Sequence, residues 1–401
     1  MLIEIHGAGF QNKGAELMLR TTVHELESRL ANFRPAIDPT YGDYEARCEL
    51  KLQQIFPARY HVSGHGFSKR LKTQKLLASK WLSKVFTRFA GVPLSRYGCC
   101  TLTSIEGFID ISGFAYTDQW GTQPTVNFSE LTAFYKAKNK PVILLPQAFG
   151  PFHNRTTQKA FNKVINHSTL IFARDEKSYE YATGVADRPD KILKAPDITL
   201  FYSGISCNDQ RIYSIQENYV CIIPNIRMLD QGKNRWGDKY ELYLIKAIQE
   251  ILSQNIKVYL VVHDSSGKDL EIACRLYDKF SERNVALMQE SNPISLKEFI
   301  ANSLFVLGSR YHSLVAAFSK QVPAMALGWS HKYEMLFDDF GCGKFLVSPD
   351  TSLETFLNRL RVLTEPEENR LYREKIDEKL REMRLRNQEM WELVVATLDS
   401  N

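Results

Sequence analysis

The chain has 401 residues, of which 44% are hydrophobic and 24% charged, with a formal net charge of +5. That length exceeds what one hydrophobic core usually holds, so two domains are expected. The composition excludes disordered and collagen-like classes, the mild charge does not point to nucleic acid, and no apolar run approaches the length of a membrane span.

The opening residues Met1–His6 do not read as a signal peptide, because Glu4 interrupts them and no basic stretch precedes them. Leu2–Ile5 reads as a strand, 7–14 as a glycine-rich loop, and Ala15 to about Leu30 as a helix. This opening has the shape of a Rossmann half without the GxGxxG spacing or the P-loop pattern. Gly7 and Gly14 suit either a tight turn or a backbone approached by ligand. Tyr44–Ile55 has a helical pattern, and between Glu49 and Glu106 there is no acidic residue against ten Lys and Arg. Within that stretch, 68–91 reads as a basic amphipathic helix. It suits a membrane surface or, equally, a helix packed on the domain with a solvated basic face.

Phe108–Phe114 is a buried strand ending in a loop that carries Asp110 and Asp118. A helix over Phe128–Lys138, a strand over Pro141–Leu145, a Gly/Pro loop at Pro146–Phe152, a helix over Asn154–His167 and a strand over Leu170–Ala173 follow. Ser203–Glu217 is polar and aperiodic, which places the domain boundary there. A second α/β series starts with the strand Tyr219–Ile223 and a loop holding Arg227. It continues through a helix over Tyr240–Gln254, a strand at Lys257–Val262 ending in His263-Asp264, and a helix over Ile294–Asn302 whose Ser295–Glu298 resembles a capping box. Alternating strands and helices imply doubly wound parallel sheets. From Ser352 the chain is helical and highly charged, consistent with a solvated face or a helix crossing back to the first domain. Seven scattered Cys form no CxxC pair or disulfide framework, which points to a reducing, cytoplasmic compartment.

The most informative stretch is Val306–Gly328. A short apolar run ends at Gly308-Ser309, Arg310 and His312 follow, and an Ala-rich helix begins. A strand tip thus delivers a guanidinium, an imidazole and a helix N-terminus to one crevice. Such a place suits an anion, and histidine is the side chain best able to move a proton near neutral pH. Each residue also has a plainer reading: His312 as a packing residue, Arg310 paired with an acid across the sheet, Arg227 as a surface arginine, Glu16 as a complement to the helix dipole. His331 lies near His312 in sequence, but nothing completes a zinc spacing.

These residues, in this order, resemble the polysaccharide pyruvyl transferase family. The resemblance is carried by Gly7…Asn12-Lys-Gly14-Ala-Glu16, Asp110–Phe114, Pro146–Pro151, Ala173–Ser178, Pro196-Asp197, Ser309–His312 and Gly328–Tyr333. It implies two Rossmann-like domains in a GT-B-like arrangement with the active site in the cleft between them. The expected division is 1–203 on the acceptor side with an insert at about 66–98, 204–375 on the donor side, and a charged helix at 376–401. It further implies phosphoenolpyruvate as donor, a glycan or lipid-linked oligosaccharide as acceptor, and a pyruvate ketal as product in surface polysaccharide biosynthesis.

On that basis His312 is the expected acid, with Arg310, Arg227, Lys332 and Ser309 toward the donor. Gly7, Asn12, Gly14, Glu16, Asp110 and Asp118 are expected toward the acceptor, and neither metal nor further cofactor is required. Gly113-Phe114 and Ala15 depart from the family's usual residues, so acceptor identity transfers least. The expected location is cytoplasmic, with contact at the inner membrane face through 68–91. The rival readings are a nucleotide-sugar glycosyltransferase of the same architecture and a non-catalytic subunit of polysaccharide assembly.

Overall fold

The computed structural model describes all residues except 8, 11, 43, 57–93, 203–217, 230–235, 265–266, 329 and 401. The basic stretch 68–91 and the expected domain boundary at 203–217 lie outside the described residues.

Two parallel sheets organise the chain. The first contains β1 (Leu2–His6), β2 (Arg34–Ile37), β3 (Gln53–Phe56), β4 (Cys99–Thr101), β5 (Gly107–Asp110), β6 (Val142–Gln147), β7 (Leu170–Ala173) and β8 (Ile192–Lys194). Its order is β4-β3-β2-β1-β5-β6-β7-β8. The second contains β9 (Tyr219–Ile223), β10 (Lys257–Val262), β11 (Val285–Gln289), β12 (Val306–Gly308), β13 (Ala324–Leu327) and β14 (Leu346–Val347), in the order β11-β10-β9-β12-β13-β14. Strand order reverses once in each sheet, between β1 and β5 and between β9 and β12. At such a point neighbouring strand tips diverge to opposite faces and open a crevice beyond their carboxyl ends.

The strands are buried on both faces, as helix-covered parallel sheets require. All five residues of β1 are buried, Glu4 included. A buried carboxylate must be hydrogen-bonded, and Tyr135 Oη donates to Glu4 Oε2.

The final helix, Pro366–Asp399, ties the two domains together. Ile376 and Leu380 join the core of the second domain, whereas Met390, Trp391, Val394 and Leu398 join Met18 and Leu19 in the first. Its outer face carries ion pairs such as Arg370 with Glu367 and Glu374. The helix crosses back to the first domain and is continuous through position 376, where the sequence suggested a division.

Two local expectations are corrected. The helix starting at Tyr44 stops at Glu49, and Gln53–Phe56 is instead strand β3. A strand this short, paired on both sides with β2 and β4, gains its stability from pairing rather than from its own pattern. The helix Pro293–Ala301 is capped by Asn292, whose side chain accepts from the amides of Ile294 and Ser295. The helix therefore begins before Ser295, and no capping box forms there.

Candidate active site

The two reversal points face each other across the domain boundary. At the first, Gly7 has φ +80, and a Cβ there would stand 2.1 Å from Ser112 Oγ in the loop after β5. At the second, Asn225 Nδ2 donates to the Ser309 carbonyl at 2.9 Å. Tyr333 Oη donates to the same carbonyl at 2.9 Å, and Tyr240 Oη donates to Ser309 Oγ at 2.9 Å. This buried frame fixes the start of the helix Tyr311–Ser319 and aims its first turn at the opposite domain.

His312 lies in that first turn, against the helix Lys13–Arg29. A Cβ on Gly14 would fall 2.1 Å from His312 Nδ1, so the backbone of one domain touches the imidazole of the other. His312 Nε2 is buried without a hydrogen-bond partner. Burial pushes the imidazole down to about 4; Arg174 and Lys332 act in the same direction, and Asp197 opposes them. In the unliganded protein His312 is therefore neutral at pH 7.

Arg174 and Asp197, both from the first domain, form a buried ion pair at 3.0 Å with side-chain exposures of 4% and 2%. The Arg174 guanidinium lies over the Tyr311 ring at 4.1 Å, and its Nε is buried without a partner. Asp197 also accepts from the Thr199 amide and hydroxyl at 2.9 and 2.6 Å. Burial alone would raise its pKa, but Arg174 and His312 hold it below the ordinary carboxylate value.

Lys332 completes the positive group. Its Nζ lies 5.2 Å from the Phe114 ring and 5.4 Å from those of Tyr311 and Tyr333. Burial, with Arg174 and Arg310 nearby, pushes it down to about 7. It forms no ion pair or hydrogen bond among the described residues. The helices Tyr311–Ser319 and His331–Asp339 both start here, and neither has a side-chain cap on its N-terminus. Uncapped amides and a positive dipole end attract anions. Two such ends beside Arg174 and Lys332 have the chemistry that suits an anion.

Beside His312 the two domains are in contact. Lys13, Gly14, His263, Lys297 and His312 line a space of about 10 Å³, close to the minimum for one water molecule. Across the same boundary Lys297 Nζ donates to the Thr199 carbonyl at 2.7 Å, Lys13 Nζ donates to the Ser291 carbonyl, and Asn12 bridges to Asp264. Burial lowers Lys297 to about 7 and His263 to about 3.

Several expected site residues have other tasks. Arg310 forms a two-pronged ion pair with Asp269, Nε and Nη2 each at 2.7 Å, and approaches Asp264 at 3.3 Å. Pairing with an acid across the sheet is thus what its guanidinium does in the unliganded chain. Ser309 is 1% exposed and spends its oxygens on the frame above, so it does not face the cleft. Arg227 is exposed on the turn Ile226–Leu229, whose first amide donates to Asp269 at 3.1 Å.

On the other side, Glu16 is buried between Lys13 and Arg20, at 3.2 and 2.9 Å, and is not presented to a substrate. Asp110 is fully buried and accepts from Ser112, Tyr116 and Gln147; burial raises it to about 6. Asp118 accepts from the amides of His153 and Asn154. In the unliganded chain the two aspartates hold a loop in place. Asn12 caps the helix Lys13–Arg29 by accepting from the amides of Gly14 and Ala15. Asn12→Ala should cost about 0.5–2 kcal/mol, read as a lowered urea midpoint; an unchanged midpoint would remove the capping role.

Arg174, Asp197 and His331 were missed as site residues. Arg174 follows the apolar run Leu170–Ala173, so it stands at a strand tip by the same logic that singled out Arg310. Among the described residues no group of three or more His, Cys, Asp or Glu is placed to hold a metal.

Comparison with known structures agrees with the two-domain layout. UDP-GlcNAc 2-epimerase from Neisseria meningitidis bound to UDP-GlcNAc matches with TM-score 0.60 at 13% identity, over 100% of each chain. The S. aureus MnaA–UDP structure matches at 0.56 and 13%, over 94% of this chain and 90% of that one. WaaG, a glycosyltransferase involved in lipopolysaccharide biosynthesis, matches at 0.52 and 14%, over 98% and 99%. At these identities the likeness is one of fold: two Rossmann-like domains in a GT-B arrangement. The sequence model named polysaccharide pyruvyl transferase matches residues 12–331, a range that holds every strand but the first and the last. Its span includes Arg174, Asp197 and His312, and the chain belongs to the polysaccharide pyruvyl transferase family.

Proposed function

We propose that the protein moves the enolpyruvyl group of phosphoenolpyruvate onto two hydroxyls of a glycan or lipid-linked oligosaccharide, forming a pyruvate ketal and releasing phosphate. The observation that carries this reading is the meeting of Arg174, Lys332 and two uncapped helix N-termini around one neutral histidine. Phosphoenolpyruvate has a carboxylate and a phosphate to place, and fixed positive groups in a dry cleft hold such charges well.

The donor's negative charge offsets Arg174 and Lys332 and so favours the imidazolium form of His312. His312 then gives its proton to the methylene carbon, and the ketal carbon becomes electrophilic. One sugar hydroxyl adds there. The carbon–oxygen bond to phosphate breaks as the second hydroxyl closes the ring. Of the two hydroxyl protons, one replaces that lost by His312 and the other leaves on phosphate. Arg174 and Lys332 supply the stabilising charge, with no cofactor beyond the co-substrate.

The direct test is phosphate release from phosphoenolpyruvate in the presence of glycan acceptors. Release that depends on a sugar–nucleotide instead would sink the reading in favour of a glycosyltransferase. A pH dependence goes with it. Lys332, lowered to about 7, is a cation below that pH and loses its charge above it. The donor phosphate is already dianionic there, so its affinity should fall by up to about tenfold per pH unit above 7. Calorimetric titration between pH 6 and 8.5 measures this, and Lys332→Gln should flatten the curve. A wild-type affinity that does not change with pH would contradict Lys332 as a donor ligand.

A further inference from the structure

The loop after β5 carries aromatic rings that the donor chemistry leaves unused. Phe114 meets the His331 ring at 5.7 Å from one side, and Tyr181 meets it at 5.7 Å from another. Tyr181 is braced against Gly150, where a Cβ would come within 2.7 Å of the tyrosine Cβ. Trp120 packs edge-on against Phe114 at 6.4 Å, and its indole N–H donates to the Phe114 carbonyl at 2.8 Å. It is nevertheless 42% exposed. An indole whose polar edge is already bonded presents only its apolar face to solvent.

The loop is held rigid. Asp110 binds Ser112 and Tyr116, Thr117 accepts from the Gln119 amide, and Asp118 ties the turn to residues 153 and 154. Gly113 and Gly121 supply φ values of +72 and +79 at its bends. At the inner end of the ledge, His331 Nε2 is buried without a partner. Lys332, the next residue, reaches over the same Phe114 ring from the anion side. The ledge and the anion site therefore share a wall. An apolar ledge bordered by a hydrogen-bonding base matches a sugar ring, which has apolar C–H faces and a rim of hydroxyls.

We propose that Phe114, Tyr181 and Trp120 form the acceptor-sugar subsite, and that His331 is the base for the hydroxyl that attacks the donor. The second half rests on the donor reading above. The hydroxyl O–H bond breaks with its proton passing to His331 Nε2, and a bond forms from that oxygen to the ketal carbon. His331 later returns the proton to the departing phosphate, which takes the electron pair of its bond to carbon. Burial keeps His331 below the ordinary histidine value, with Asp175 opposing, so it is neutral and able to accept.

The test uses the full-length protein and two soluble sugars with a free O4/O6 pair, lactose and maltose. Saturation-transfer NMR without any donor should show transfer to at least one of them, weakened about tenfold or more in Trp120→Ala. In the phosphate-release assay His331→Asn should lower kcat by about 10²-fold or more, with the loss concentrated in kcat rather than in acceptor KM. No transfer with the wild type, or undiminished transfer in Trp120→Ala, overturns the subsite. Turnover of His331→Asn within a few-fold of wild type overturns the base. If the wild type releases no phosphate with any acceptor, the donor reading fails while the sugar measurement still decides the subsite.

Discussion

Replacing His312 with alanine is expected to lower turnover by about 10²–10⁴-fold while phosphoenolpyruvate still binds. The imidazole is held by the first turn of its helix and by the backbone at Gly14, and its Nε2 has no partner to lose. Removal therefore breaks no hydrogen bond of that nitrogen, and the fold should persist. Donor affinity should persist too, because Arg174, Lys332 and the two helix N-termini are left in place. The wild type should also take up a proton when the donor binds. His312 starts near 4 because of burial, and the arriving negative charge pulls it upward. Calorimetry in two buffers of different ionisation enthalpy measures that uptake, which should shrink in His312→Ala. If the variant turns over at the wild-type rate, His312 is not the acid.

The second large effect concerns the buried pair Arg174–Asp197. Arg174→Ala leaves the 2% exposed carboxylate of Asp197 without its cation and removes the guanidinium from the Tyr311 ring. Breaking a buried pair from one side typically costs about 3–5 kcal/mol, and the donor should lose a main ligand as well. Folding and chemistry can be separated with Arg174→Met combined with Asp197→Leu. An apolar pair of this kind often restores stability but offers nothing to an anion. The double variant should thus regain part of the urea midpoint, short of the two hydrogen bonds that Asp197 accepts from Thr199, and remain inactive. Wild-type activity in the double variant would remove Arg174 from donor binding. A single variant with an unchanged midpoint would show that the pair contributes little to stability.

Much of the fold was legible because parallel strands buried on both faces are continuous apolar runs. β1, β5, β6, β7, β9, β10 and β12 could all be placed approximately from such runs. The short strands at that end of the sheet could not: Gln53–Phe56 and Cys99–Thr101 have few apolar residues and exist through their neighbours. Within the site, His312 and Lys332 were readable as a strand-tip histidine and a nearby lysine. Arg310 was readable as a strand-tip cation, but its partner was not, since Asp269 lies 41 residues upstream. Asp110 and Asp118 looked like acceptor-side acids because a sequence shows a carboxyl's presence without showing what donates to it.

The amino-acid order by itself determined two doubly wound sheets, their crevices beyond the strand tips, and the family to which those tips belong. These follow from local patterns: apolar runs, glycine bends and helix starts. Only the tertiary structure decided which charges remain available. It committed Arg310 to Asp269, turned Ser309 inward and paired Glu16 with Lys13 and Arg20, while it brought Arg174, Asp197 and Lys332 around His312 from both domains. Whether a charged side chain acts or merely supports depends on the nearest opposite charge and on burial, and both are set by which distant segments the fold brings together.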